Sequence, residues 1–174
     1  PGEGAAILVL EREETASARK AKIYGEILNV SSARDPKSSA KCRLTHQAVE
    51  LLLDRLLQSW PDKQLPLKWI SCWECLPGFD CHSAAIGVLR KKLGWELEAP
   101  QSSTLKLLIG ECFSASAALQ VAALLGWNEA EDTSGLVCHF SPVGASVGCV
   151  LHVARKSKPT NKHAQPTAAS VQDV

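Results

Sequence analysis

The chain has 174 residues, 45% of them apolar and 21% charged, an ordinary globular mixture with material for one α/β domain and too little for two. Its 19 basic and 18 acidic side chains leave a formal net charge of +1. The Lys and Arg residues are spread out apart from Arg90-Lys91-Lys92, so neither nucleic acid nor an anionic membrane has a general electrostatic hold on it. No stretch reaches the roughly 18 apolar residues that span a bilayer, and no charged segment leads into an apolar one as in a secretory signal, which points to a cytoplasmic protein. The sequence opens at Pro1 and holds no Met, which reads as an excerpt, a fragment or a processed product.

Ala5–Leu10 is a continuous apolar run and reads as a buried strand. Glu11–Lys22 fits a short helix or turn, and Ile23–Val30 a second strand, antiparallel to the first because the connection is short. Ser31–Lys41 has loop composition. Thr45–Trp60 carries Val49, Leu52, Leu53, Leu56 and Leu57 at helical spacing, with Thr45 as N-cap and Pro61 as the stop. Leu67–Cys72 is a short strand. Ser83–Leu93 is a helix with Ile86, Leu89 and Leu93 inward and Arg90, Lys91 and Lys92 outward, closed by Gly94. Leu105–Ile109 reads as a strand-like run or a tight approach segment. Phe113–Leu125 is a helix of small and apolar residues, implying burial on all sides. Leu136–Phe140 and Ser146–Ala154 are the last strands. Alternating strands and helices make an α/β layered domain over residues 1–155, and residues 156–174 lack periodic apolar positions and read as a disordered tail.

The seven cysteines are an odd number in a chain large enough to need no staples, and read as reduced thiols. Cys72-x-x-Cys75 with Cys81-His82 has the residue types of a zinc or redox module, but no second CxxC follows and adjacent Cys81 and His82 rarely reach one tetrahedral ion. No metal and no cofactor is therefore expected. His46 and His139 stand in apolar surroundings as core or rim residues, and the five Trp residues are scattered without forming a cofactor box.

Three segments and a closing loop resemble the β-ketoacyl synthase (ketosynthase) family. Pro1-Gly2-Glu3-Gly4-Ala5-Ala6 running into Ile7-Leu8-Val9-Leu10-Glu11 is similar to the family's GEGAA segment, which opens the second half of the fold, and Ala18-Arg19-Lys20-Ala21-Lys22-Ile23-Tyr24-Gly25-Glu26-Ile27 to its basic turn and next strand. Lys106 through Ala117 is similar to the family's Lys, three residues, then Gly-His-x-x-Gly-Ala-x-Gly: Lys106, Gly110 and Ala115 match, and Glu111 takes the place of the His. Cys72 to His82 stands where the family has His-Gly-Thr-Gly-Thr; counting back from Gly94 without gaps aligns Glu74 with that His, and a gap of two aligns Cys72. Phe140-Ser141-Pro142-Val143-Gly144-Ala145-Ser146 stands at the family's Gly-rich closing loop, matched at Phe140 and Gly144.

The resemblance, over residues 1 to 155, implies the C-terminal half of a thiolase-like layered α-β-α-β-α fold with a mixed sheet of about five strands. It marks Glu74, Lys106 and Glu111 as the site positions. In the family a Cys takes the acyl chain and two His residues support decarboxylation and hold the enolate oxygen. An ionised Glu would repel that oxygen, and a helix N-terminus ahead of Phe113 favours the ionised form. The resemblance thus implies a ketosynthase-like subunit or half, non-catalytic on its own, similar to a chain-length factor and active in fatty-acid or polyketide assembly. Its partners would be an N-terminal half or a ketosynthase-like subunit, and an acyl carrier protein with its phosphopantetheine arm. The alternatives are an active condensing enzyme whose Cys lies on another half, and a small zinc or redox module around Cys72 to His82.

Overall fold

The structure is a computed structural model that describes residues 2–35, 45–58, 67–74, 80–93, 101–102, 105–126, 132–141 and 144–153, with the backbone alone at positions 73, 74, 101, 102, 106 and 113. The elements run α1 (Glu13–Ala18), β1 (Gly25–Arg34), α2 (His46–Gln58), β2 (Leu67–Glu74), α3 (Cys81–Leu93), β3 (Gln101–Ser102) and α4 (Leu105–Ile109). A 3-10 turn (Phe113–Ala115) leads into α5 (Ser116–Gly126), followed by β4 (Thr133–Phe140) and β5 (Ala145–Val153).

The strands form one mixed sheet in the order β1-β5-β4-β2-β3. β5 is antiparallel to both β1 and β4, and β2 is parallel to both β4 and β3. On one face lie α2 and α3. The helical spacing of Val49, Leu52, Leu53 and Leu56 puts all four into a fully buried stripe, which meets Leu89 of α3 and Ile70, Leu136, Phe140 and Val150 of the sheet. Each such Leu contributes about 1.5–3 kcal/mol by leaving water, so this layer is the main core. Arg90, Lys91 and Lys92 stay outside in the last turn of α3, where cations suit the helix C-terminus, and Lys92 pairs with Asp54 of α2. The other face carries α5, with Val121 and Leu124 packed on Trp69, Val137 and Leu151. Gly135 makes that approach possible: a Cβ there would stand 3.2 Å from Leu124 Cδ1.

Several elements differ from expectation. Ala5–Leu10 joins no described strand, and Ile7, Val9 and Leu10 are 92%, 81% and 70% exposed; the run is apolar, but it has no ladder partner among the described residues. β1 pairs instead with β5, and continues through Ser31–Arg34, where loop-like composition yields to pairing with Ala145–Gly148. Leu105–Ile109 is helical, since a five-residue apolar run has no periodicity to separate the two states. α5 buries one face, Ser116, Gln120, Val121 and Leu124, and the rest is half-buried or exposed. Thr45 precedes α2, but its hydroxyl has no hydrogen-bond partner among the described residues; its N–H donates to Asp35 Oδ2 at 2.8 Å. α3 begins before Ser83 because Asp80 caps it, accepting from Ser83 N at 2.9 Å and Ser83 Oγ at 2.5 Å, which holds the Asp80 carboxyl below its usual range. Pro61, Gly94 and the tail at 156–174 lie outside the described residues.

Candidate functional site

β2 and β4 are parallel, so their C-terminal ends coincide, with Glu74 opposite Phe140. After β4 the chain turns back through Gly144 at φ 79°, where Ser141 N donates to Ala145 O at 2.8 Å and Gly144 N to Ser141 O at 3.0 Å. Gly144 O accepts the N–H of Asp35 at 2.8 Å, which ties the end of β1 to the same turn. Ser146 Oγ donates to Ala33 O at 3.1 Å one step further on.

The segment before α5 reaches this end of the sheet from the other face. Leu124 lies on Gly135 and Val121 clusters with Val137, so α5 runs antiparallel to β4. From Leu124 back to Ser116 is about 12 Å of helix, or three to four strand residues, which brings Ser116 level with the end of β4. Gly110 turns the chain at φ 76°, a conformation that favours glycine, and Glu111 follows. Ser116 Oγ, fully buried, donates to Glu111 Oε1 at 3.3 Å. The Glu111 carbonyl accepts the N–H of Gly2 at 2.8 Å. The two opening glycines lie against this segment: a Cβ on Gly2 would stand 1.8 Å from Ile109 O, and one on Gly4 2.9 Å from Leu119 Cδ1. The GEGAA-like segment and the Gly110 segment, about 110 residues apart in sequence, are thus one joined structure.

The three positions marked by the resemblance fare differently. Glu111 is half-buried and anchored at both its side chain and its carbonyl. Glu74 ends β2 on the rim of the same sheet end, described in its backbone. Lys106 is in α4, ahead of the Gly110 turn, also described in its backbone. Sequence reasoning did not single out Ser116 as the partner of Glu111, or Asp35 as the tie to Gly144; a hydroxyl five residues beyond Glu111 and an Asp closing a strand were the available signals.

On the opposite face, Cys72 faces Cys138 in the ladder, and His82 from the first turn of α3 lies against the same sulfur. A hydrogen bond with the Cys138 thiol, then burial, push the Cys72 thiol well up, while His82 pulls it the other way. Cys75 is outside the described residues, and among those described no group of three or more His, Cys, Asp or Glu side chains could hold a metal ion. No described helix is long and apolar enough to cross a membrane.

No family model matches the chain, and no curated protein matches it. Solved structures resemble it clearly. The ketosynthase from module 6 of the bacillaene synthase of Bacillus subtilis 168 superposes with a TM-score of 0.72 at 13% identity, over 84% of this chain and 33% of that one. The ishigamide ketosynthase/chain length factor gives 0.69 at 22% identity, over 87% of this chain and 43% of that one. A type II polyketide ketosynthase, solved in complex with its acyl-carrier protein and bound to the hexaketide, gives 0.68 at 16% identity, over 83% and 42%. The chain spans less than half the length of each of these proteins. It has the ketosynthase form of the thiolase-like fold, over the part of that fold that it covers.

Proposed function

We propose that the chain is a ketosynthase-like half or subunit of fatty-acid or polyketide biosynthesis, non-catalytic on its own, which completes a condensing-enzyme dimer and its acyl tunnel. The observation that carries this reading is the half-covered sheet face. One helix is about 10–12 Å across and neighbouring strands are about 4.8 Å apart, so α5 covers roughly two strands of five. It packs mainly on β4 and β2 and reaches Leu151 of β5. On the same face Val30 of β1 is left 59% exposed and Val147 of β5 40% exposed, with Cys149, the direct partner of Val30 in the ladder, half-buried. A sheet with one dry face and one half-dry face needs a second body, and the neighbouring ketosynthases have more than half their length beyond the matched part. In the Ala5–Leu10 run Leu8 packs on the Trp69–Val121 cluster, while Ile7, Val9 and Leu10 stay exposed, which supports the same partner.

The chemistry at Glu111 supports a non-catalytic role. An enolate needs a hydrogen-bond donor, and the Glu111 carboxylate accepts from Ser116 and fixes the turn that also holds Gly2. An acyl carrier protein delivering a thioester on its phosphopantetheine arm is the natural third partner. The test is turnover of the chain assembled with its complementary half or subunit, using acyl and malonyl carrier-protein thioesters. Glu111→Gln should leave condensation nearly unchanged. A loss of about a hundredfold, or about 2.7 kcal/mol of transition-state stabilisation, with assembly intact, would overturn the reading in favour of an active enzyme in which the carboxylate takes part.

A further inference from the structure

We propose that Cys72 and Cys138 are a reversible disulfide-forming pair that ties the end of β2 to the end of β4. The two are direct partners in the parallel ladder. Neighbouring strands lie about 4.7–4.9 Å apart, inside the Cα window of about 4.4–6.8 Å that a disulfide spans. Both side chains point to the α2 and α3 face, Cys138 as a fully buried member of the core and Cys72 packed against it. Both are free cysteines, and the Cys138 thiol is the largest influence on the Cys72 thiol.

The environment divides the roles. Cys72 keeps accessible surface and Cys138 has none, so an oxidant meets Cys72 first and Cys138 acts from inside. The Cys138 thiol and burial hold the Cys72 proton on sulfur, and His82 opposes them only in part, so the reaction runs from the thiol and needs peroxide in excess. With a hydroperoxide as oxidant, the Cys72 sulfur attacks the peroxide oxygen, giving a sulfenic acid and, from hydrogen peroxide, water. The Cys138 sulfur then displaces the hydroxyl, the S–S bond forms, and a second water leaves with the Cys138 proton. The two sulfurs are oxidised and one peroxide is reduced. The bond closes two residues before Glu74 and Phe140, so it would fix the spacing of the two strand ends at the site.

The experiment is a peptide map of the reduced full chain after hydrogen peroxide treatment, under non-reducing conditions. A linked Cys72–Cys138 peptide, short by two hydrogens and released by dithiothreitol, is the expected result. Cys149→Ser should retain that peptide. Cys138→Ser should abolish it and leave Cys72 as a sulfenic acid that dimedone traps. Cys72 and Cys138 both remaining thiols at a peroxide excess that oxidises Cys149 would overturn the proposal, as would Cys72 advancing to sulfinic acid beside a reduced Cys138. The wild-type map decides the matter even if Cys138→Ser does not fold.

Discussion

Replacing Val30 and Val147 together by Lys should convert the chain from a self-associating species into a soluble one, because these two residues are the centre of the uncovered sheet face. Full burial of a Val is worth about 1.5–3 kcal/mol, and Val30 and Val147 retain 59% and 40% of their surface to bury. Covering both therefore yields about 2 kcal/mol, or about thirtyfold in a dissociation constant. Ile7, Val9 and Leu10 add about 4–7 kcal/mol if the same event covers them, before the entropy of association is subtracted. Lys forfeits the Val contribution and adds a charge that resists desolvation, so the effect exceeds thirtyfold. Sedimentation velocity over a hundredfold range of concentration, with dye binding as a second readout of exposed apolar surface, measures it. Wild type should associate with rising concentration and bind the dye; the double variant should shift association to at least thirtyfold higher concentration while keeping its far-UV spectrum. A wild-type chain that remains a monodisperse monomer with a cooperative melt would refute the claim that the face needs a partner.

Other consequences are more local. Gly148→Ala places a Cβ 2.8 Å from the Val137 carbonyl oxygen and 2.8 Å from Leu56 Cδ1, so it should destabilise by about 1–3 kcal/mol in a urea melt; a change under about 0.5 kcal/mol would contradict the packing. Ser116→Ala removes the donor to Glu111 and should lower stability by about 1 kcal/mol, whereas Glu111→Gln, which can still accept from Ser116, should cost less; the opposite order would dissolve the anchoring role. Burial pushes the Cys149 thiol up to about 11. The folded state therefore holds this proton more tightly than the unfolded one: the contribution is fully present below about pH 9 and is lost as pH rises from about 9 to 11, by about 2–3 kcal/mol. Cys149→Ser should flatten that part of the stability profile, and an unaltered slope would place the loss elsewhere.

What the residues disclosed in advance divides along a physical line. α2, α3, β4 and β5 carry their own period, and each packs against something inside the chain, so pattern and outcome agree. Ala5–Leu10 has strand composition, but a strand is defined by a neighbour, and none is present among the described residues. Leu105–Ile109 is too short for periodicity to speak. At the site, glycines were the best guide: Gly2, Gly4, Gly110 and Gly144 each mark a close approach or a left-handed turn, and together they bring distant segments to one end of the sheet. The partner of Glu111 was not legible, because which side of α5 Ser116 occupies depends on where the helix meets the sheet.

The pairing of β1 with β5 has a consequence for synthesis on the ribosome. Gly25 is matched with Val153, so this ladder closes a loop of about 128 residues, the longest reach in the sheet. At about 5–20 residues per second, β1 waits roughly 6–25 s after its own translation before its partner exists, and longer while the partner clears the exit tunnel. During that interval ten residues of backbone stand with their hydrogen-bonding groups unmatched. The core of α2, α3 and β2 can begin to collapse meanwhile, since its contacts are closer in sequence. By this order of synthesis the sheet grows from its β3 edge toward its β1 edge and admits its first strand last, which makes β1 the segment most exposed to capture by a holding chaperone or by a second nascent copy.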